Sequence, residues 1–184
     1  MPSTPSTVRI ERLSSKHVDG ALQAAHESVQ DIFPWMEWCR LGLERTDVAS
    51  MVASLEDAWD KGAAYTFAVI DSATGEFLGS VGLNRIDQRR GIANLNYWVT
   101  SSKKGKGVAT RASALACRYG IDKLGLVRIG IIVPEGNTAS CRVAERLGAV
   151  REGILRNACR LHGRQLNGTQ YSIIPSDLDN TVAA

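Results

Sequence analysis

The chain has 184 residues, 44% of them hydrophobic and 22% charged, with a formal net charge of +3. That length buries one substantial core and is short for two full domains. The mild charge argues against a dedicated nucleic-acid surface, and no apolar run approaches the ~20 residues that cross a bilayer, so neither direct nucleic-acid binding nor membrane insertion is expected.

The first seven residues read as a flexible N-terminus. They lack a basic stretch followed by an apolar one, and a cytoplasmic protein is expected. Residues 8–13, ValArgIleGluArgLeu, alternate as a half-buried strand does. Ser14 or Ser15 then caps a helical stretch with Val18, Leu22 and Ala25. An aromatic segment over 32–38, broken at Pro34, leads to Thr46 or Asp47 as the expected cap of a second helix. That helix carries Val48, Met51, Val52, Leu55 and Trp59 on one face and ends near Gly62.

Strands follow over 65–70, 77–86 and 93–100, joined by short polar turns, which implies an antiparallel meander. The order then changes to a helix over about 107–124, a strand over 126–133, a helix over about 138–147 and two strands around HisGlyArgGln. Residues 8–176 read as one domain and 177–184 as a C-terminal tail. Cys39, Cys117, Cys141 and Cys159 show no CxxC spacing, so neither a metal site nor a disulfide framework is expected. His17, His26 and His162 lack partners at a readable spacing.

The stretch SerLysLysGlyLysGlyValAlaThrArgAla, 102–112, joins a strand to a helix whose Val108, Ala112, Leu115 and Tyr119 form one apolar face. The first turn of such a helix offers unpaired N–H groups and the positive end of its dipole, a site for an anion. Gly105 and Gly107 permit close backbone approach, while Lys104, Lys106 and Arg111 add positive charge. The pattern GxxxxGK[ST] is absent and GxGxxG fails at Thr110, which disfavours a nucleoside triphosphate or a nicotinamide dinucleotide. From the residues alone, a solvated linker loop and a phosphate site remain open.

LysLysGlyLysGlyValAlaThr resembles the pyrophosphate loop of the GCN5-related N-acetyltransferase (GNAT) superfamily, with Lys104 in place of the usual first Arg or Gln. A second likeness lies thirty residues after Gly107, where Asn137 and Ser140 precede AlaGluArgLeuGlyAla at 144–149. AsnTyrTrpVal at 96–99, ArgGluGly at 151–153, HisGlyArg near the end and the early ProTrpMetGluTrp are similar to the RimJ/RimL-type N-terminal acetyltransferases of ribosomal proteins.

The resemblance implies an α/β (α+β) GNAT fold: a mixed, mostly antiparallel sheet of about seven strands flanked by about four helices, with a splayed parallel pair, 93–100 and 126–133. It implies acetyl-CoA as co-substrate and no metal, with Trp98, Val99, Thr100, Lys104, Gly105, Lys106, Gly107, Val108, Ala109, Thr110 and Asn137 holding it. Ser140 is implied as donor or acid to the coenzyme A thiolate, and Trp35, Glu37 and Asn94 as acceptor-side residues. The family's leaving-group tyrosine corresponds to Ala144, and Cys159 falls where a glutamate base would align. Glu37 is open as a base, an ammonium acceptor or a solvated carboxylate. Direct transfer to a protein N-terminus, transfer to a small amine, and acyl-coenzyme A binding without catalysis are the readings carried forward, with a homodimer left open.

Overall fold

The computed structural model describes residues 8–180, so the expected flexible segment 1–7 and the end of the expected tail, 181–184, lie outside the described residues. Seven strands form one sheet in the order β1-β2-β3-β4-β5-β7-β6. In chain order these are β1 (Val8–Arg12), β2 (Tyr65–Asp71), β3 (Phe77–Asp87), β4 (Ile92–Val99), β5 (Arg128–Pro134), β6 (Val150–Leu161) and β7 (Arg164–Ile173). The helices are α1 (Val18–Ile32), α2 (Arg45–Asp60), α3 (Val108–Leu124), α4 (Thr138–Arg146) and α5 (Pro175–Asn180). The mixed, mostly antiparallel sheet of the sequence reading is present, with β4 and β5 as its parallel pair.

Alternation along the strands divides the core into two layers. Val69, Val81, Leu83, Leu95, Ile129 and Ile131 pack with Ala112, Ala116 and Ala144 of α3 and α4. Ala68, Ile70 and Phe77 pack on the other side with Ala25, Val29, Val48 and Val52 of α1 and α2. Helices therefore cover both faces, and what separates β4 from β5 opens between them.

Three differences from the sequence reading have a visible cause. The second helix begins at Arg45, and Asp47 is its third residue: its carboxylate accepts from the Glu44 N–H at 3.0 Å, so Asp47 bonds back to the residue it was expected to replace as cap. The fifth strand begins at Arg128, because Leu126 is spent on the end of α3, its N–H bonding the Gly120 carbonyl at 3.0 Å. The fifth helix, beyond the four expected, starts at Pro175, where the Ile174 N–H donates to Asp177 Oδ2 at 3.0 Å. Leu178, past the expected boundary at 176, is buried in the core. Among the described residues no helix is long and apolar enough to cross a membrane, and no group of three His, Cys, Asp or Glu is arranged to hold a metal ion.

Candidate active site

The parallel pair is short. Ile92, Ala93 and Asn94 pair with Arg128, Ile129 and Gly130, and beyond Asn94 the two strands share no further register while each stays paired on its outer side. The result is a V, closed at Ile92 and open toward Val99 and Pro134. A cleft of about 620 Å³ occupies it, lined by both strands, the end of α1, the start of α3 and α4.

Which β4 backbone groups face the V follows from one glycine. The Cβ of any residue at position 79 would lie 2.2 Å from the Trp98 carbonyl oxygen, so that carbonyl points at β3 and only glycine fits opposite it. Thr100 points the same way, its N–H donating to the Leu78 carbonyl at 2.8 Å. By alternation, the N–H and C=O groups of Tyr97 and Val99 face the V beyond the last register pair, where no described strand pairs with them. The three residues expected to bond the arm are thus turned in different directions. Val99 presents its backbone to the cleft, Trp98 lines it but bonds toward β3, and Thr100, 2% exposed, is turned away.

At the open end lies the glycine loop. Gly107 is the N-cap of α3 with φ +74, and Arg111 is the first residue to bond back, its N–H donating to the Gly107 carbonyl at 3.0 Å. The preceding N–H groups have no partner within the helix. Lys104, Gly105, Gly107, Val108, Ala109 and Thr110 line the cleft here, whereas Lys106 does not. Lys106 instead accepts Arg111 Nη2 on its carbonyl at 2.8 Å, which turns the loop around the guanidinium; Arg111 Nε is buried with no hydrogen-bond partner.

The residues that tie this loop down escaped the sequence reading. From α1, Glu27 Oε1 accepts from the Ser102 N–H at 2.9 Å, Ser28 Oγ from the Ser101 N–H at 3.0 Å, and Asp31 takes both the Ser101 hydroxyl and Lys104 Nζ, the latter at 2.7 Å. These bonds, led by Lys104 and Ser101, hold the Asp31 carboxyl below its usual range. Lys103 pairs with Glu76 at 2.7 Å.

Asn137 caps α4, its side chain accepting from the Ser140 N–H at 3.1 Å, and both residues line the cleft. Ser140 meets a residue to which the sequence reading gave no role. Tyr97 Oη lies 2.9 Å from Ser140 Oγ and 3.0 Å from the Ser140 carbonyl oxygen. Burial raises the Tyr97 phenol to about 12, so it is protonated at neutral pH. The only earlier signal was its place in the AsnTyrTrpVal segment. Ala144 is fully buried in the core.

At the closed end, Asn94 lines the cleft and donates through Nδ2 to Asn84 Oδ1 at 3.2 Å. Trp35 and Met36 line the same space. Glu37, expected beside them, is not part of the lining: its carboxylate accepts from the His162 N–H at the tip of the β6–β7 hairpin. The His162 ring lies 4.6 Å from that of Phe33, with Nε2 3.0 Å from the Phe33 carbonyl. The segment after α1, which lends Trp35 and Met36 to the cleft lining, and the hairpin tip are therefore latched together. Cys159 is off the lining, its thiol pushed up by burial, as suits a packing residue.

The features of this chain fit acetyl-CoA: an unpaired strand edge for an amide-bearing arm, a left-handed glycine at a helix start, and an orphaned guanidinium nitrogen beneath it. Residues 7–150 match the family described as acetyltransferase (GNAT) domain. The chain is 33% identical over 132 residues to an uncharacterized N-acetyltransferase, p20, of Bacillus licheniformis, covering 70% of this chain and 74% of that protein. It is 31% identical over 99 residues to spermidine N(1)-acetyltransferase of Escherichia coli, spanning 54% of this chain and 53% of that enzyme. A RimL ribosomal α-N-protein acetyltransferase solved with coenzyme A superposes with a TM-score of 0.83 at 20% identity, over 92% of this chain and 94% of the other. The family match across most of the chain, together with a cleft shaped for its co-substrate, makes this protein a member of the GNAT family, an acetyl-CoA-dependent N-acetyltransferase.

Proposed function

We propose that the acceptor is the α-amino group of a protein or peptide N-terminus, as in the RimJ/RimL type. One observation carries this reading. Among the described residues that line the cleft, Asp31 is the only carboxylate, and it is tied to Lys104 and Ser101 at the open end, away from Asn94. The acceptor end thus offers neither a base nor a counter-charge. An α-amino group, with its pKa near 7.7–8.0, is roughly a quarter to two-fifths neutral at pH 7.5, whereas a lysine side chain near 10.4 is neutral about once in a thousand. The first attacks without assistance; the second does not, and a polyamine finds no acid to hold its remaining charges. The likeness in fold to RimL, a ribosomal α-N-protein acetyltransferase, supports the same choice.

In this reading the amine enters beneath Trp35 and Met36. Its nitrogen bonds to the acetyl carbon while the carbon–sulfur bond breaks, and the proton shed by the acylated nitrogen balances the one taken up by the thiolate. An N–H on the V-facing edge of β4 donates to the developing oxyanion. Trp98, Val99 and Asn137 border the arm, while Lys104, Gly105, Gly107, Val108, Ala109 and Thr110 receive the phosphates. Ser140 donates to the departing sulfur.

The test is intact-mass detection of one added acetyl group on peptides beginning with Ser, Ala or Met, on the same peptides with blocked N-termini and free lysines, and on spermidine. Modification confined to free N-termini is expected. Modification of spermidine alone would replace this reading with a small-amine acetyltransferase, a reading that the Escherichia coli relative keeps in view. Coenzyme A binding with no acetylated product would make the chain a non-catalytic acyl-coenzyme A module.

A further inference from the structure

Tyr97 Oη touches two oxygens of one residue, at 3.0 Å from the Ser140 carbonyl and 2.9 Å from Ser140 Oγ. A phenol has one proton and a carbonyl oxygen has none, so the protons can be placed by elimination. If Tyr97 donated to Ser140 Oγ, the contact with the carbonyl would hold two oxygens together with no proton between them. Donation to the carbonyl leaves the Ser140 hydroxyl as the donor to Tyr97 Oη, and both contacts are bridged. The lone pairs of Ser140 Oγ are then left for the cleft. The geometry around the serine is firm: Asn137 holds its N–H at 3.1 Å, and the Tyr97 ring packs against the core beneath α3 and α4.

We infer that Tyr97 and Ser140 form a two-hydroxyl switch, with Tyr97 as the positioning residue that keeps the Ser140 proton stored until the leaving sulfur calls for it. This rests on the donor role given to Ser140 above. As negative charge grows on sulfur, the Ser140 O–H swings from Tyr97 toward it, and the Tyr97 O–H swings from the Ser140 carbonyl to the Oγ so released. The Tyr97–Ser140 hydroxyl contact stays bridged, the contact with the Ser140 carbonyl gives up its proton, and the new bond to the anionic sulfur offsets that loss; no bond to carbon is made or broken, and both hydroxyls keep their protons. Donation by Tyr97 polarises the serine hydroxyl and strengthens it as a donor to the anion. The phenol stays protonated because it is buried, which suits a donor that is never required to ionise. The other titratable groups that reach it are the Cys141 and Cys117 thiols.

The experiment reads the thiol of bound coenzyme A directly, by its thiolate absorbance across a pH titration, in the wild type, Tyr97→Phe, Ser140→Ala and the double variant. No amine acceptor is needed, so failure here is distinct from failure to acetylate N-termini. The wild type is expected to hold the thiol about tenfold more acidic than either single variant, with the double variant equal to Ser140→Ala, because Tyr97 acts only through the serine. Coenzyme A affinity well below the thiol pKa should be unchanged in all four. A Tyr97→Phe protein that kept the wild-type thiol pKa, or whose effect added to that of Ser140→Ala, would overturn the switch. If Tyr97→Phe melts too low to titrate, 3-fluorotyrosine at position 97 keeps the ring and sharpens the donor. It should then lower the bound thiol pKa below the wild-type value, and no change or a rise would be equally fatal to the idea.

Discussion

Arg128 and Glu152 meet in a two-point ion pair, Nη1 to Oε1 at 2.6 Å and Nη2 to Oε2 at 2.5 Å, at the closed end of the V where Arg128 also pairs with Ile92. The guanidinium, then the Ser172 hydroxyl, lower Glu152 from 4.5 to about 2. A depressed carboxyl contributes stability that is present above its unfolded pKa and lost as the pH falls through the folded one. Both side chains are about a third exposed, so solvent screens much of the effect. Glu152→Gln should cost about 1 kcal/mol at pH 7 and little near pH 2. Urea unfolding at both pH values checks it, and a pH-independent difference would assign the loss to packing.

Gly107 is held at φ +74, and a Cβ there would lie 2.8 Å from Arg111 Nη1. Gly107→Ala has to pay the left-handed penalty, about 1 kcal/mol, and displace the guanidinium from the loop. Acetyl-CoA affinity should fall about tenfold or more by calorimetry, with the fold intact by circular dichroism. Gly105, which has open space around its Cβ direction, should tolerate Ala with a smaller loss.

Ser140→Ala should lower kcat by roughly ten- to a hundredfold while leaving the acetyl-CoA dissociation constant near the wild-type value, since the donor matters only as charge reaches the sulfur. Stopped-flow binding and steady-state rates on the same peptide separate the two. Unchanged turnover would remove Ser140 from the chemistry.

Glu37 offers a sharper split. Read as a latch, it needs only an oxygen for the His162 N–H, so Glu37→Gln should behave almost as the wild type. Glu37→Ala frees the segment carrying Trp35 and Met36 and should raise the acceptor KM several-fold, roughly the loss of one hydrogen bond, with acetyl-CoA affinity unaffected. A collapse of kcat in Glu37→Gln would instead make the carboxylate a base.

What could be read in advance was local. The alternation of 65–70 and 77–86, the apolar face of α3 and the glycines before it each follow from neighbouring residues, and the strands and helix fall where that pattern puts them. The cap of α2 was misjudged because Thr46 and Asp47 are both good cap residues, and only the fold shows Asp47 bonding backward. The loop anchors from Glu27, Ser28 and Asp31 join residues seventy or more positions apart, and Tyr97 reaches Ser140 across 43. No periodicity encodes such pairs. The same holds for Glu37, whose partner His162 stands 125 positions away.

Asp31 grips the loop that follows β4 at the mouth of the cleft, and Trp35, which covers Gly136 just past the end of β5, follows about one helical turn later. Between them runs the last turn of α1, continued by the Trp35 and Met36 N–H groups bonding the Ile32 carbonyl at 2.9 and 2.8 Å. A strut so short and so fully bonded transmits displacement instead of absorbing it. The loop at the start of α3 and the segment carrying Trp35 and Met36 are consequently one mechanical unit, so a ligand that shifts one side of the cleft mouth shifts the other.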